Sequence, residues 1–117
     1  MNLYHLRYFV TLAHLEHYTK AAEILAITQP SLSHAIASLE KELGVKLFEK
    51  EGRGVTLTKA GRMFLEYADR ILTDCHIAVG KMREISMDGG KIDIGYVFPL
   101  AGHYIPRRVK LFLEQPE

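Results

Sequence analysis

The sequence predicts a mainly α-helical protein, built from a winged helix-turn-helix, a long C-terminal dimerisation helix, and the first strand and helix of a truncated α/β domain. Apolar residues recur every three or four positions in several segments, which indicates one-sided helices. Two short apolar stretches flank a glycine-rich turn near the middle of the chain, which indicates a hairpin. The predicted parts are residues 1–58, 59–87 and 88–117.

The composition is typical of a globular protein that works in a reducing compartment. The 117 residues allow one modest hydrophobic core, with 48% apolar and 25% charged residues. No apolar run approaches the ~20 residues that a membrane span needs, and the N-terminus lacks the pattern of a secretory signal. Cys75 is the single cysteine, so an internal disulfide is excluded and we expect a cytoplasmic location. The net charge of +1 does not by itself indicate a nucleic-acid partner.

Two helices are predicted before the turn at Ala26. The first covers residues 2 to about 15, where apolar positions step by three and four, and Asn2 is its predicted N-cap. The second covers residues 19 to about 25, with Thr19 as its candidate cap. The short second helix leads directly into a third one.

The second and third helices have the spacing of a helix-turn-helix. The third is predicted from the N-cap Thr28 to about residue 43, where Gly44 suits the left-handed conformation at a helix end. Ala26 lies in the turn, at a place where glycine is common. We expect the small Ala22 at the crossing of the two helices, beside an apolar clamp formed by Leu25, Ile27 and Leu32.

The outward face of the third helix is small and rich in hydrogen-bonding groups. A rotation of about 100° per residue separates an apolar face from an outward face. The apolar face consists of Leu32, Ile36, Leu39 and Leu43, and the outward face of Pro30, Ser33, His34, Ala37, Ser38 and Lys41. A face without bulky apolar side chains fits a major groove, and Gln29 at the helix start suits the edge of an adenine. An ordinary solvated helix face is the alternative interpretation.

A hairpin with an arginine at its tip is predicted after the third helix. Apolar stretches at residues 47–48 and 55–57 flank Gly52-Arg53-Gly54, as expected of a wing whose guanidinium enters a minor groove or contacts a phosphate. A surface turn with an incidental arginine is the alternative. Nearby positive charges are Lys41, Lys46, Lys50, Lys59 and Arg62, and the acids that dilute them are Glu40, Glu42, Glu49 and Glu51.

Thr58 is the predicted cap of a long helix that ends at about residue 86. This helix carries a seam of apolar or small residues spaced alternately by three and four, which is typical of lengthwise packing against another helix. No other predicted helix is long enough to cover the seam, so we expect the same helix of a second subunit as its partner. The seam consists of Phe64, Ala68, Ile71, Cys75, Ala78, Met82 and Ile85.

Other chemistry is not expected from the residue pattern. Cys75 lies in the seam, so packing is favoured over redox sensing. The histidines at positions 5, 14 and 17 lack the further ligands that would complete a metal site. No nucleophile–base pair or phosphate-binding glycine loop is visible, so we expect neither an enzyme nor a cofactor in this chain. A winged-helix module that binds another protein is the alternative to one that binds DNA.

Four stretches carry a resemblance to a known family. They are AAEIL at residues 21–25, TQPSLSHAI at 28–36, LEKELGVKLF at 39–48 and GRGVTLTKAG at 52–61. Together they resemble the signature of the LysR-type transcription regulators. The resemblance covers essentially the whole chain.

The resemblance implies a bacterial regulator that binds double-stranded DNA at an interrupted palindrome. On this resemblance, we expect two winged modules to be joined through the long helix into a homodimer, which forms tetramers in full-length members. We expect the third helix, residues 28–43, in the major groove, and the arginine of the wing at the minor groove or the backbone. With the outward face, the candidate DNA-binding residues are Thr28, Gln29, Pro30, Ser31, Ser33, His34, Ser38, Lys41, Lys50 and Arg53.

Two of these positions depart from the family pattern. His34 and Lys50 stand where arginine is common, which should weaken contact with guanine or phosphate at those places. An imidazole at position 34 should also make that contact depend on pH near the reference pKa of about 6.5.

The resemblance also implies an effector domain after the long helix, similar to periplasmic binding proteins. Residues 91–97 resemble its first strand and residues 103 to about 113 its first helix, after a break at Asp88-Gly89-Gly90. We expect an unknown small-molecule effector to bind the full-length protein and not this chain. RNA polymerase is expected as a further partner, and a membrane is not.

Overall fold

The structure is a computed structural model, and it describes residues 1–87. Its elements are α1 (Leu3–Leu15), α2 (Tyr18–Leu25), α3 (Gln29–Leu43), β1 (Phe48–Glu51), β2 (Gly54–Leu57) and α4 (Lys59–Ser86). This order confirms the mainly helical fold with a helix-turn-helix, a two-stranded wing and a long helix. The predicted break at residues 88–90, strand at 91–97 and helix at 103–113 lie outside the described residues.

Polar side chains cap three of the helices at the predicted positions. The caps Asn2, Thr28 and Thr58 accept hydrogen bonds from the amides of His5, Ser31 and Gly61 at 2.9, 3.1 and 3.0 Å. Such a cap stabilises a helix by about 1 kcal/mol, because it satisfies a donor that the helix itself leaves unpaired. α3 ends as predicted, with Gly44 in the left-handed region at a φ of 75°.

The predicted cap of α2 is wrong. The helix begins at Tyr18, and His17 caps it, because the imidazole Nδ1 accepts the amide hydrogen of Lys20 at 3.2 Å. Thr19 therefore lies inside the first turn. Histidine is not among the preferred capping residues, which is why the pattern pointed to the threonine instead.

α1 is the centre of the core, because it packs against α2, α3 and α4. Phe9 is fully buried, and its ring centroid lies 5.4 Å from that of Phe48 and 5.1 Å from that of Phe64. Aromatic pairs of this geometry contribute about 0.5–1.5 kcal/mol beyond the burial of their area. Phe9 thus ties the wing and α4 to the same point of α1.

Thr58 and Gly61 join the wing to α4. The Thr58 amide donates to the carbonyl oxygen of Leu47 at 3.0 Å, and its hydroxyl donates to the carbonyl oxygen of Lys46 at 2.6 Å. One turn later, a Cβ at position 61 would collide with the same Leu47 carbonyl oxygen. The glycine is therefore required by the close approach of two backbones.

α4 extends well beyond the core. Its 28 residues correspond to a length of about 42 Å, whereas the 13 residues of α1 span about 20 Å. α1 can therefore cover only part of α4, and the last turns carry exposed charges at Lys81, Arg83 and Glu84. Within residues 1–87, no helix is both long and apolar enough to cross a membrane.

Candidate nucleic-acid interface

α3 buries one side and exposes the other, as predicted. Its buried residues are Leu32, Ala35, Ile36 and Leu39, each at most 7% exposed. The exposed ones on the outward side are Gln29, Pro30, Ser31, His34, Ala37, Ser38 and Lys41, and Ser33 is half-buried. No large apolar side chain of α3 is exposed. The outward face therefore offers amide, hydroxyl, imidazole and ammonium groups.

Thr28 and Ser31 form hydrogen bonds with each other at the start of α3. The Thr28 hydroxyl accepts from the Ser31 amide and donates to Ser31 Oγ at 2.8 Å. Its proton is thus used inside the helix start, while the Ser31 hydroxyl keeps its own proton for an outside acceptor. A DNA contact by either residue stays a prediction.

The turn between α2 and α3 is fixed by Ala26, which adopts a left-handed φ of 60°. Next to it, the Ile27 amide donates to the carbonyl oxygen of Ala22 at 3.1 Å. Ala22, Leu25 and Leu32 are at most 5% exposed and Ile27 packs against the core, which confirms the predicted clamp. An alanine in this conformation costs about 1–2 kcal/mol, a strain that glycine would avoid.

The wing is an antiparallel hairpin with a two-residue turn at its tip. β1 pairs with β2 from Phe48 opposite Leu57 to Glu51 opposite Gly54. Gly52 has a φ of 59° and is the first residue of the turn, the position where a type II′ turn requires glycine. Arg53 is the second turn residue and is exposed, as is Lys50 on β1. The structure therefore presents Arg53 at the tip, as the sequence predicts.

β2 is held at the end of α1 by a contact that no local pattern predicts. The carbonyl oxygen of Glu16 accepts the Val55 amide at 3.1 Å, and the Glu16 carboxylate accepts the Thr56 hydroxyl at 3.4 Å. A Cβ at position 54 would collide with the Glu16 carbonyl oxygen. Gly54 is thus required by the close approach of Glu16 rather than by the turn itself. Glu16 and Thr56 are 40 positions apart in sequence, so no local pattern reveals their contact.

Two of the acids that dilute the positive charge are engaged within the chain. Glu42 forms an ion pair with the N-terminal ammonium group, and the Glu40 side chain is only 13% exposed. Burial lowers the pKa of His5, and the N-terminal ammonium lowers it further, whereas Glu42 raises it. The exposed cations near α3 and the wing are therefore opposed by fewer free carboxylates than the count of acids suggests.

The first two positions of the predicted dimerisation seam of α4 pack within their own chain. Ala68 is fully buried within its own chain, and the Phe64 ring packs against Phe9. Ala68 therefore offers no surface to a second subunit, whereas Phe64 is half-buried. α1, although short, covers the beginning of the seam, and the use of the seam as a dimer interface stays a prediction. The other predicted residues, Ile71, Cys75, Ala78, Met82 and Ile85, are exposed or half-buried.

Met63 and Tyr67 extend the exposed part of the seam, although its predicted pattern does not include them. They are 60% and 53% exposed, and a rotation of about 100° per residue places them on the same side of α4 as Ile71, roughly 80° and 40° from it. The Arg70 guanidinium lies 5.4 Å from the Tyr67 ring centroid, a cation–π contact. We call Met63, Tyr67, Ile71, Ala78, Met82 and Ile85 the apolar stripe of α4.

Cys75 lies beside the apolar stripe and is half-buried. Burial raises the pKa of its thiol, and the neighbouring Asp74 carboxylate raises it further. The reactive thiolate form is therefore disfavoured. Within residues 1–87, no group of three histidine, cysteine or acidic side chains is placed to hold a metal ion.

Comparison with known proteins identifies relatives for the part of the chain that carries this interface. A family model described as bacterial regulatory helix-turn-helix protein, lysR family, matches residues 3–62. The HTH-type transcriptional regulator BenM of Acinetobacter baylyi is 39% identical over 112 residues, which cover 96% of this chain and 37% of BenM. The HTH-type transcriptional regulator BudR of Klebsiella aerogenes is 44% identical over 104 residues, or 88% of this chain and 73% of BudR.

A solved structure shares both the fold and much of the sequence. The crystal structure of the BenM_DBD/benA site 1 DNA complex matches with a TM-score of 0.69 and 42% identity. The match covers 73% of this chain and 99% of the solved one. The likeness to that DNA-bound protein therefore extends over its whole length.

Proposed function

The chain belongs to the lysR family of bacterial regulatory helix-turn-helix proteins, and we propose that it reads double-stranded DNA as a homodimer. In this proposal α3 lies in a major groove, and Arg53 contacts the minor groove or the phosphate backbone. The two subunits read an interrupted palindrome whose half-sites lie about one helical turn, or a multiple of it, apart. The protein acts as a transcription regulator and not as an enzyme.

The observation that carries the proposal is the joint exposure of the polar face of α3 and of Arg53 at the wing tip. A helix that enters a major groove needs an outward face without bulky apolar side chains, and α3 has one. A wing with an exposed guanidinium adds a contact that a bare helix-turn-helix lacks. BenM_DBD, of which 99% of the solved chain is matched, was crystallised in complex with DNA, which supports DNA as the ligand of this fold.

The apolar stripe of α4 supports the homodimer. Five of its six residues are large apolar side chains between 39% and 64% exposed. A row of this kind along one helix is costly to leave in water, at roughly 25 cal/mol per Å² of apolar surface. If the apolar stripe of a second copy packs along that of the first, both stripes are removed from water. The packing of the two α4 helices then sets the distance between the two α3 helices.

The remaining parts of the proposal concern the full-length protein. This chain spans 37% of the length of BenM. We propose that an unknown small-molecule effector binds the full-length protein, in a domain beyond the described residues. We also propose that the full-length protein forms tetramers and that RNA polymerase is a further partner. The bacterial cytoplasm is the proposed place of action.

A winged module that binds another protein is the competing function. It requires an exposed apolar patch on the recognition surface. The exposed large apolar side chains of the described residues all lie outside α3. The structure therefore favours a nucleic-acid partner for this face.

Arg53→Ala tests the proposal against a matched control. We expect it to weaken DNA binding about tenfold at moderate salt, and to reduce the slope of log K against log salt by about 1 if the contact is to phosphate. Arg83→Ala is the control, because it removes another exposed arginine that lies about 36 Å along α4 from the first residue of that helix. It should leave the affinity for DNA unchanged. Equal effects of the two variants, or binding that does not depend on salt, would contradict a DNA-reading wing.

A further inference from the structure

The Glu40 carboxylate connects α3 to the first strand of the wing. Its Oε2 accepts hydrogen bonds from the amide of Leu47 at 2.7 Å and from that of Phe48 at 3.2 Å. Hydrogen bonds to a charged acceptor in a partly buried place are stronger than neutral ones. Oε1 lies 3.8 Å from the ammonium of Lys46, but that side chain is 82% exposed, so this pair contributes little.

The position of Glu40 is unlike that of a solvated acid. Its side chain is 13% exposed, whereas Glu49 on β1 and Glu51 at the end of β1 are exposed. It lies on the last turns of the helix that we propose reads DNA, and it bonds to the residues at which the wing begins. Its two acceptor contacts therefore link the two DNA-contacting elements directly.

The wing depends on such links for its orientation. A hairpin of two short strands is marginal on its own. Four residues of strand make an arm of about 13 Å, so a 20° tilt at the base moves the tip by roughly 4–5 Å. That shift exceeds the length of a hydrogen bond. Glu16 holds β2 to the end of α1, and Thr58 holds Leu47 to the start of α4. Glu40 is the side chain that holds the start of β1 to α3.

We propose that Glu40 is a positioning residue for the wing. It makes no contact with DNA; its carboxylate fixes the angle between α3 and the hairpin, so that Arg53 reaches the duplex while α3 lies in the groove. This inference rests on the proposed DNA-reading function.

A double-mutant cycle on DNA affinity tests the proposal, with Arg53→Ala as the second change. If Glu40 positions the wing, Glu40→Ala weakens binding by about as much as Arg53→Ala, roughly tenfold, and the double variant is hardly weaker than either single one. Loss of a negative charge near DNA would by itself strengthen binding, so a weakening indicates geometry. Glu49→Ala, at an exposed acid of the same hairpin, should not weaken binding and should leave the Arg53→Ala effect intact.

Glu40→Gln serves as the conservative variant, since its amide oxygen can accept the same two hydrogen bonds. Glu40→Gln should retain most of the affinity for DNA, and Arg53→Ala should weaken binding in that background nearly as much as in the wild type. If Glu40→Ala fails to fold, Glu40→Gln alone tests whether Glu40 positions the wing. Additive effects of Glu40→Ala and Arg53→Ala, or a Glu40→Gln variant as weak as a folded Glu40→Ala, would overturn the positioning role. An Arg53→Ala variant without any effect in the wild-type background would instead overturn the wing contact, and the role of Glu40 with it.

Discussion

Gly61 lies against the backbone of Leu47 at the start of α4, in a place where a side chain has no room. A second glycine of the same helix, Gly80, has nothing within contact distance of a Cβ. Both positions have a helical backbone, although Gly61 lies in the first turn of α4 and Gly80 in its interior. They therefore separate the effect of packing from that of helix propensity.

Gly61→Ala should destabilise the fold, whereas Gly80→Ala should not. Alanine gains about 1 kcal/mol over glycine in a helix interior, so Gly80→Ala is expected to raise the free energy of unfolding by up to that amount. At position 61 the collision with a backbone oxygen outweighs this gain, and we expect a net loss of about 1–3 kcal/mol. Urea unfolding followed by circular dichroism measures both. Equal changes in the free energy of unfolding of the two variants would show that the backbone contact at Gly61 leaves room for a side chain.

Single residues also show what the sequence could and could not predict. The caps Thr28 and Thr58 and the exposed Arg53 follow from local patterns, because a cap or a turn is decided within a few residues. Glu16 and Glu40 did not stand out, since their partners lie 40 and 7 residues away and an acid on a helix usually faces water.

α4 carries two neighbouring apolar rows, and a spacing of three and four cannot tell which one faces its own chain. The inner row includes Ala68 and Leu72, which pack into the core. The outer row is the apolar stripe, which lies about a quarter of a turn away. The predicted seam began on the inner row and continued along the outer one. Only the position of α1 separates them, and this is a tertiary fact.

Met82→Glu tests whether the apolar stripe forms the dimer interface, and the same substitution at the next residue is its control. If the stripe forms the dimer interface, a carboxylate buried there without a partner should raise the dissociation constant of the dimer at least tenfold. Arg83→Glu brings the same side chain to an exposed position away from the stripe and should leave the dimer intact. Sedimentation equilibrium measures both constants. A wild-type monomer, or an unaffected Met82→Glu dimer, would contradict the assignment.

At the scale of the whole molecule, the proposed DNA-reading surface and the proposed dimer surface lie on different parts of the chain. The polar face of α3 and the wing belong to the compact region around α1, while the apolar stripe runs along a helix that reaches beyond that region. The near-neutral charge of +1 hides this division, because some of the acids close to the recognition surface are engaged in contacts of their own. Shape and placement, rather than net charge, identify the interface.

Selection of random duplex DNA by the 117-residue chain tests whether the protein reads DNA as a dimer. We expect enrichment of an interrupted palindrome, with half-sites about 10 base pairs or a multiple apart, bound by two subunits. We also expect His34→Ala to change the preferred bases in both half-sites alike, since α3 is proposed to read each of them. Enrichment of no sequence by a folded dimer, or of a single half-site bound by one subunit, would rule out DNA reading by a dimer of this chain.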